Sequence, residues 1–164
     1  MNISLCGMMG VGKTTVGKLL SERLHMTLID TDSVIVSRHG NISKLFEEKG
    51  EGYFRDLERG LGEELSADKN AVISTGGGFV LREENAQALK KNGVLIFLNA
   101  SVSTLLSRVT AEDRPLLKGG AEKKLKELIP LRYPVYERVS SFVVDTDGKT
   151  AEEVADEITR RIRV

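Results

Sequence analysis

The chain has one cysteine, Cys6, and two well-separated histidines, His25 and His39. A single cysteine excludes an internal disulfide, and this inventory leaves too few soft ligands for a structural zinc site. In the first apolar stretch Cys6 reads as a small core residue. There is also no excess of charge: 24 Lys and Arg are matched by 24 Asp and Glu. No global field therefore favours nucleic acid or an anionic membrane, and any anion binding has to be local. No apolar run approaches the roughly 20 residues of a membrane span, and the strand and glycine turn at the N-terminus leave no room for a signal peptide. A cytoplasmic protein without membrane or nucleic-acid partners is expected. Repeats, low-complexity tracts and linkers are absent too, so residues 1–164 are read as one domain. A chain of this length buries about 68 to 70% of the surface it exposes when unfolded.

What is present is concentrated near the start. Gly7-Met8-Met9-Gly10-Val11-Gly12-Lys13-Thr14 fits the Walker A spacing, with Thr15 after it. Ile3-Ser4-Leu5-Cys6 before it suits a buried strand, and Val16, Leu19, Leu20 and Leu24 recur after it at helical spacing. Glycines at 7, 10 and 12 let successive N–H groups turn inward around a polyphosphate, and the helix N-terminus adds partial positive charge. Lys13 can reach the β- and γ-phosphates. The Thr14 hydroxyl can supply one oxygen of the octahedral shell of Mg²⁺.

Strand and helix patterns then alternate. Residues 27–29, 71–74, 94–98 and 142–144 read as further strands, and helical patterns cover 14–25, 33–38, 43–48, 52–66, 83–91, 102–109, 121–139 and 151–162. This alternation implies an α/β fold, a parallel sheet with helices on both faces. Ligands of such sheets sit beyond the carboxyl ends of the strands.

After the second strand comes Asp30-Thr31-Asp32. Taken as extended, it turns both carboxylates toward the phosphate cleft, Asp30 to hold Mg²⁺ and Asp32 to accept a hydrogen bond from the hydroxyl being phosphorylated. The competing reading is a simple helix cap near Ser33. In Phe54-Arg55-Asp56-Leu57-Glu58, Phe54 and Leu57 suit a buried face that would aim Arg55 at a carboxylate. The alternative is a surface ion pair of Arg55 with Glu58, worth about 0.2 to 0.5 kcal/mol. Gly76-Gly77-Gly78 after the third strand implies close approach of a ligand to the backbone, or else a bare turn. Residues 110–120 are polar, contain Glu112-Asp113-Arg114-Pro115 and suit a moving lid that delivers Arg114 to the transferring phosphoryl group. A solvated loop arginine is the other reading. Arg132 lies between Pro130 and Pro134, where it could equally be a surface arginine on an irregular helix.

Taken together, the P-loop, Asp30-Thr31-Asp32, Phe54-Arg55-x-x-Glu58, Gly76-Gly77-Gly78 and Arg114-Pro115-Leu116-Leu117 resemble, in order and spacing, the shikimate kinases over essentially the whole chain. The resemblance implies a P-loop three-layer α/β/α fold with a five-stranded parallel sheet in the order 2-3-1-4-5. It also implies a mobile lid over about 110–123 and a substrate-binding subdomain over about 32–61. The implied reaction moves the ATP γ-phosphate to the 3-hydroxyl of shikimate on the route to chorismate and the aromatic amino acids. Residue by residue, it assigns Gly10, Val11, Gly12, Lys13, Thr14 and Thr15 to ATP phosphates, with Mg²⁺ at Thr14. Asp32, Arg55, Gly77 and Arg132 match shikimate-binding positions, Arg114 the lid arginine on ATP, and Arg108 the arginine that stacks on adenine. Lys13, Asp32 and Arg114 are thus the expected catalytic set. A monomer is implied, in keeping with the lack of a heptad seam. A sugar-acid kinase such as gluconate kinase, or a P-loop nucleotide-binding module without catalysis, remains the alternative.

Overall fold

The protein is described by a computed structural model covering residues 1–108 and 120–163. Its elements run β1 (Asn2–Cys6), α1 (Lys13–Leu24), β2 (Thr27–Asp30), α2 (Thr31–His39), α3 (Ile42–Leu65), β3 (Ala71–Ser74), a 3₁₀ turn (Phe79–Leu81), α4 (Glu83–Lys90), β4 (Gly93–Asn99), α5 (Val102–Arg108), α6 (Ala121–Val139), β5 (Phe142–Asp145) and α7 (Ala151–Ile162).

The five strands form one parallel sheet in the order β2-β3-β1-β4-β5, as the resemblance implied. Strand β1 is central, pairing Ile3 with Val72 on one side and with Val94 on the other. It is buried along its whole length, as is β3, whereas the edge strands β2 and β5 keep partly exposed positions. Helix α1 packs on the sheet together with α7, and α4 packs on it together with α6, as a parallel sheet covered on both faces requires. The core joins Ile3, Leu5, Ile73, Leu95, Ile96 and Leu98 of the sheet to Leu20 of α1, Leu89 of α4, Tyr136 of α6 and Ile158 of α7. Cys6 belongs to it, and burial pushes its thiol up to about 12, so it is an inert core residue as expected.

Two local expectations change, over 30–32 and over 43–66. The segment Asp30-Thr31-Asp32 is not extended throughout. β2 ends at Asp30, whose carboxylate caps α2 by accepting from the Ser33 N–H at 3.0 Å, and Asp32 lies in the first helical turn. Cap and helix side chain nevertheless reach the same cleft. In α6, Pro130 and Pro134 do not break the helix. Each removes an N–H donor, yet burial of Leu125, Tyr136 and Val139 holds the element together. The two short helices expected over 43–48 and 52–66 meet end to end as α3, which turns at Gly50 with φ 83° and ψ 167°.

Among the described residues, no helix is long and apolar enough to cross a membrane.

Candidate active site

The carboxyl ends of β1, β2 and β3 open onto a cleft of about 660 Å³ lined by the loop from Met9 to Thr15, by Asp30 and Asp32, by Ser74 to Gly77, and by Arg108. Its floor is the glycine turn. Gly10 and Gly12 adopt φ of 83° and 101°, the left-handed region where a side chain is strained. Gly12 caps α1 with no side-chain acceptor, leaving the first N–H groups of the helix free for an anion. Lys13 folds back over this loop, donating to the carbonyls of Gly7 at 2.6 Å and Met8 at 3.1 Å. Although Lys13 as a whole is only partly buried, its ammonium is enclosed, and burial lowers its pKa to about 8 against the opposing pull of Cys6 and Asp32.

Beside Lys13, the Thr14 hydroxyl donates to Asp30 Oδ2 at 3.2 Å and stands 3.5 Å from Ser74 Oγ. Asp30 therefore does two jobs: one oxygen caps α2 and the other faces Thr14. Hydroxyl and carboxylate oxygens are the donors a hard divalent cation takes. Among the described residues no group of three or more His, Cys, Asp or Glu side chains is placed to hold a metal ion, so a cation here would depend on phosphate and water for its remaining ligands.

The triple glycine has a steric explanation, one side chain per residue. A Cβ at Gly76 would lie 2.5 Å from Asp32 Oδ1, a Cβ at Gly77 would lie 2.9 Å from Arg132 Nη1, and a Cβ at Gly78 would land on the Arg55 guanidinium. Three charged groups from three elements, α2, α6 and α3, thus press against one bare turn. The turn is anchored from below, where the Gly76 N–H donates to the buried Thr31 hydroxyl at 2.9 Å and the Thr75 hydroxyl to the Leu5 carbonyl at 2.8 Å.

The charges sense each other. Asp32 has its pKa raised by burial and by Asp30, while Lys13 and Arg55 oppose the shift. Arg55 is held from behind, its Nη1 donating to Glu58 Oε1 at 2.6 Å and its Nη2 to Glu51 Oε1 at 3.2 Å. This is not a surface pair, because Glu58 is 1% exposed. Its Oε2 has no partner among the described residues, and burial raises its pKa to about 6 even though Arg55 pulls the other way.

At the opposite end of the cleft, Arg108 closes α5. Its guanidinium donates to the Val11 carbonyl at 3.1 Å, the Thr146 hydroxyl at 2.8 Å and the Thr146 carbonyl at 2.9 Å. The site so built has a phosphate turn, a carboxylate beside it, and two guanidinium groups beyond that carboxylate.

The family model for shikimate kinase matches residues 9–163. The chain belongs to the shikimate kinase family. The shikimate kinase of Caldanaerobacter subterraneus subsp. tengcongensis is 44% identical over 162 residues, covering 97% of this chain and 94% of that protein. That of Thermodesulfovibrio yellowstonii is also 44% identical, with 97% and 93% covered. Among solved structures, the shikimate kinase of Acinetobacter baumannii in complex with shikimate superposes with a TM-score of 0.91 at 36% identity, covering 99% of this chain and 92% of that one. The sheet order, the parallel register and the P-loop of this chain are accordingly those of a shikimate kinase fold.

Of the residues expected from the sequence, the structure brings Lys13, Thr14, Asp30, Asp32 and Gly77 onto one cleft with Arg108. Arg55 and Arg132 come up behind the glycine turn. Arg114 and most of the expected lid, 110–123, lie outside the described residues. Two residues differ from their reading in the sequence. Glu58, weighed there only as a surface partner of Arg55, occupies the same helical stripe as Phe54, Leu61 and Leu65, all buried, and a carboxylate in that apolar row is the signal of its buried place. Tyr136, buried one turn after Arg132, carried no comparable signal, because a tyrosine at a core position reads as packing.

Proposed function

We propose that this shikimate kinase family member transfers the γ-phosphoryl group of ATP to the 3-hydroxyl of shikimate, releasing ADP and shikimate 3-phosphate, with the residues described above in the following roles. The observation that carries the assignment is the convergence of Asp32, Arg132 and Arg55 on the three successive glycines at 76–78, beside Lys13. Shikimate is a small acid with neighbouring hydroxyls, and this arrangement offers a carboxylate for a hydroxyl and two cations for the acid group.

The nucleotide phosphates would occupy the turn from Gly10 to Thr15, held by backbone N–H groups and the α1 N-terminus. Lys13 would exchange its two carbonyl partners for phosphate oxygens, which restore its charge against burial. Thr14 and Asp30 supply oxygen ligands suited to Mg²⁺, which when bound neutralises charge on the transferring group. Arg55, held by Glu58 and Glu51, and Arg132 would grip the shikimate carboxylate. Asp32 would then orient the 3-hydroxyl and take its proton late, since phosphoryl transfer runs through a loose transition state in which positioning and charge dominate. Arg108 and the 146–149 turn would flank the base. By the family resemblance Arg114 would add a cation at the transferred phosphoryl group.

In this reading 32–61 supplies Asp32, Arg55 and Glu58 as the substrate-binding segment, while Arg132 comes from α6. We also read the protein as a cytoplasmic monomer without nucleic-acid or membrane partners. In support, the exposed large apolar side chains among the described residues are only Met1, Val36 and Leu131. A coupled ATP-consumption assay with shikimate, with gluconate and with no acceptor tests the assignment. Turnover requiring shikimate supports it, turnover with gluconate alone makes the protein a sugar-acid kinase, and turnover with neither leaves a nucleotide-binding module.

A further inference from the structure

We propose that Tyr136 is a positioning residue for the acceptor, its hydroxyl fixing the Gly77–Gly78 peptide so that the Gly78 N–H is presented to the bound acid. This rests on the reading of the site as a shikimate subsite. Tyr136 is 0% exposed and sits on α6 one helical turn after Arg132, whose guanidinium stands beside the same hydroxyl. That hydroxyl donates to the Gly77 carbonyl at 2.5 Å and approaches Met8 Sδ of the phosphate loop at 3.8 Å. Packing against Phe97 and Tyr133, with ring centroids 5.1 and 6.1 Å away, fixes the ring that carries it.

The consequence follows from peptide geometry. The Gly77 carbonyl and the Gly78 N–H belong to one peptide, there is no cis bond among the described residues, and in a trans peptide the two groups point in opposite directions. With the carbonyl drawn toward Tyr136, the N–H turns to the other side of the turn, and Gly78 itself lies against the Arg55 guanidinium, where a Cβ would land. Neither the Gly77 nor the Gly78 N–H has a hydrogen-bond partner among the described residues. A backbone donor next to a guanidinium is suited to a carboxylate oxygen. Glycines have no Cβ to hold this orientation by themselves, so a side chain from outside the turn has to do it. Tyr136 also touches Met8, so a single hydroxyl sets the acceptor turn in register with the phosphate turn.

The test is Tyr136→Phe, which keeps the ring and removes the hydroxyl. Steady-state kinetics with shikimate varied at saturating ATP should show KM for shikimate rising about tenfold, the loss of roughly one hydrogen bond, while KM for ATP stays within about twofold. Tyr133→Phe is the control. It removes a similar bond, from the Tyr133 hydroxyl to the Ala100 carbonyl at 2.6 Å, from the same ring cluster, and should move neither constant. A lower kcat with both KM values unchanged, or equal weakening by Tyr133→Phe, marks Tyr136 as merely structural and overturns the proposal. Should Tyr136→Phe not fold, amide exchange of Gly78 in the unmodified protein decides: slowing on addition of shikimate supports the donor role, and no change overturns it. Absence of shikimate turnover in the unmodified protein would fail the underlying functional reading. Turnover with unmoved constants in Tyr136→Phe would fail this proposal alone.

Discussion

Gly76 leaves room for the Asp32 carboxylate: a methyl group on Gly76 would stand 2.5 Å from Asp32 Oδ1. Gly76 is tied to Thr31 through its N–H, so the backbone is held and the Asp32 carboxylate is the group that has to turn away. Gly76→Ala is therefore expected to mimic loss of the carboxylate. Both Gly76→Ala and Asp32→Asn should lower kcat/KM for shikimate by at least about 10²-fold, the lower end of what a positioned acid or base contributes. KM for ATP should change little. Near-normal shikimate kinetics in Gly76→Ala would show that Asp32 does not act from its present position.

Lys13 gives a pH dependence with a definite sign. Burial brings its pKa down to about 8, so in the free protein the ammonium is lost as pH rises through that value. Since kcat/KM reports the free enzyme, kcat/KM for ATP should fall above about pH 8, whereas kcat should hold to higher pH because bound phosphates favour the charged form. Lys13→Met should nearly abolish turnover. A kcat/KM profile that stays flat to pH 9.5, about 1.5 above that pKa, contradicts the assignment.

Glu58 is the holder and Arg55 the side chain it holds. Arg55→Ala removes charge-assisted hydrogen bonds worth about 1.5 to 3 kcal/mol each, so KM for shikimate should rise roughly ten- to a hundredfold or more. Saturation by shikimate unchanged from the native protein would remove Arg55 from the subsite.

Glu58 itself should oppose folding at neutral pH. Its pKa is raised from 4.5 to about 6 by burial, so between those values the folded state binds the proton more tightly than the unfolded chain does. Stability from this group therefore falls as pH rises through that window, by about 2 kcal/mol in all. Glu58→Gln, which keeps an acceptor for Arg55, lacks this loss. Its melting temperature relative to the native protein should rise between pH 4.5 and pH 7. A difference independent of pH would mean that Glu58 is paired rather than strained by burial.

The sheet and the phosphate turn were legible in the sequence because both follow local rules. Short apolar runs alternating with helical periodicity admit few arrangements, and the spacing of Gly7, Gly10, Gly12 and Lys13 belongs to one kind of loop. Asp32 does reach the cleft, but its backbone was taken as extended, because the capping role of Asp30 and the start of α2 at Thr31 depend on where β2 stops. Glu58 was read as a surface partner because an i,i+3 ion pair looks the same in sequence whether its face is wet or buried. Only the packing of α3 against the 3₁₀ turn and α4 decides that. The triple glycine pointed to close approach, and what approaches proved to include the protein's own Asp32, Arg132 and Arg55. Such a relation joins residues up to 55 apart, Gly77 to Arg132, and has no local pattern.

The most direct test is a crystal structure of the protein with ADP, Mg²⁺ and shikimate. The account predicts the shikimate carboxylate between the guanidinium groups of Arg55 and Arg132, and its 3-hydroxyl about 2.6 to 3.2 Å from a carboxylate oxygen of Asp32, facing the phosphate turn. A shikimate carboxylate bound away from both arginines, or a 3-hydroxyl turned from Asp32, would contradict it.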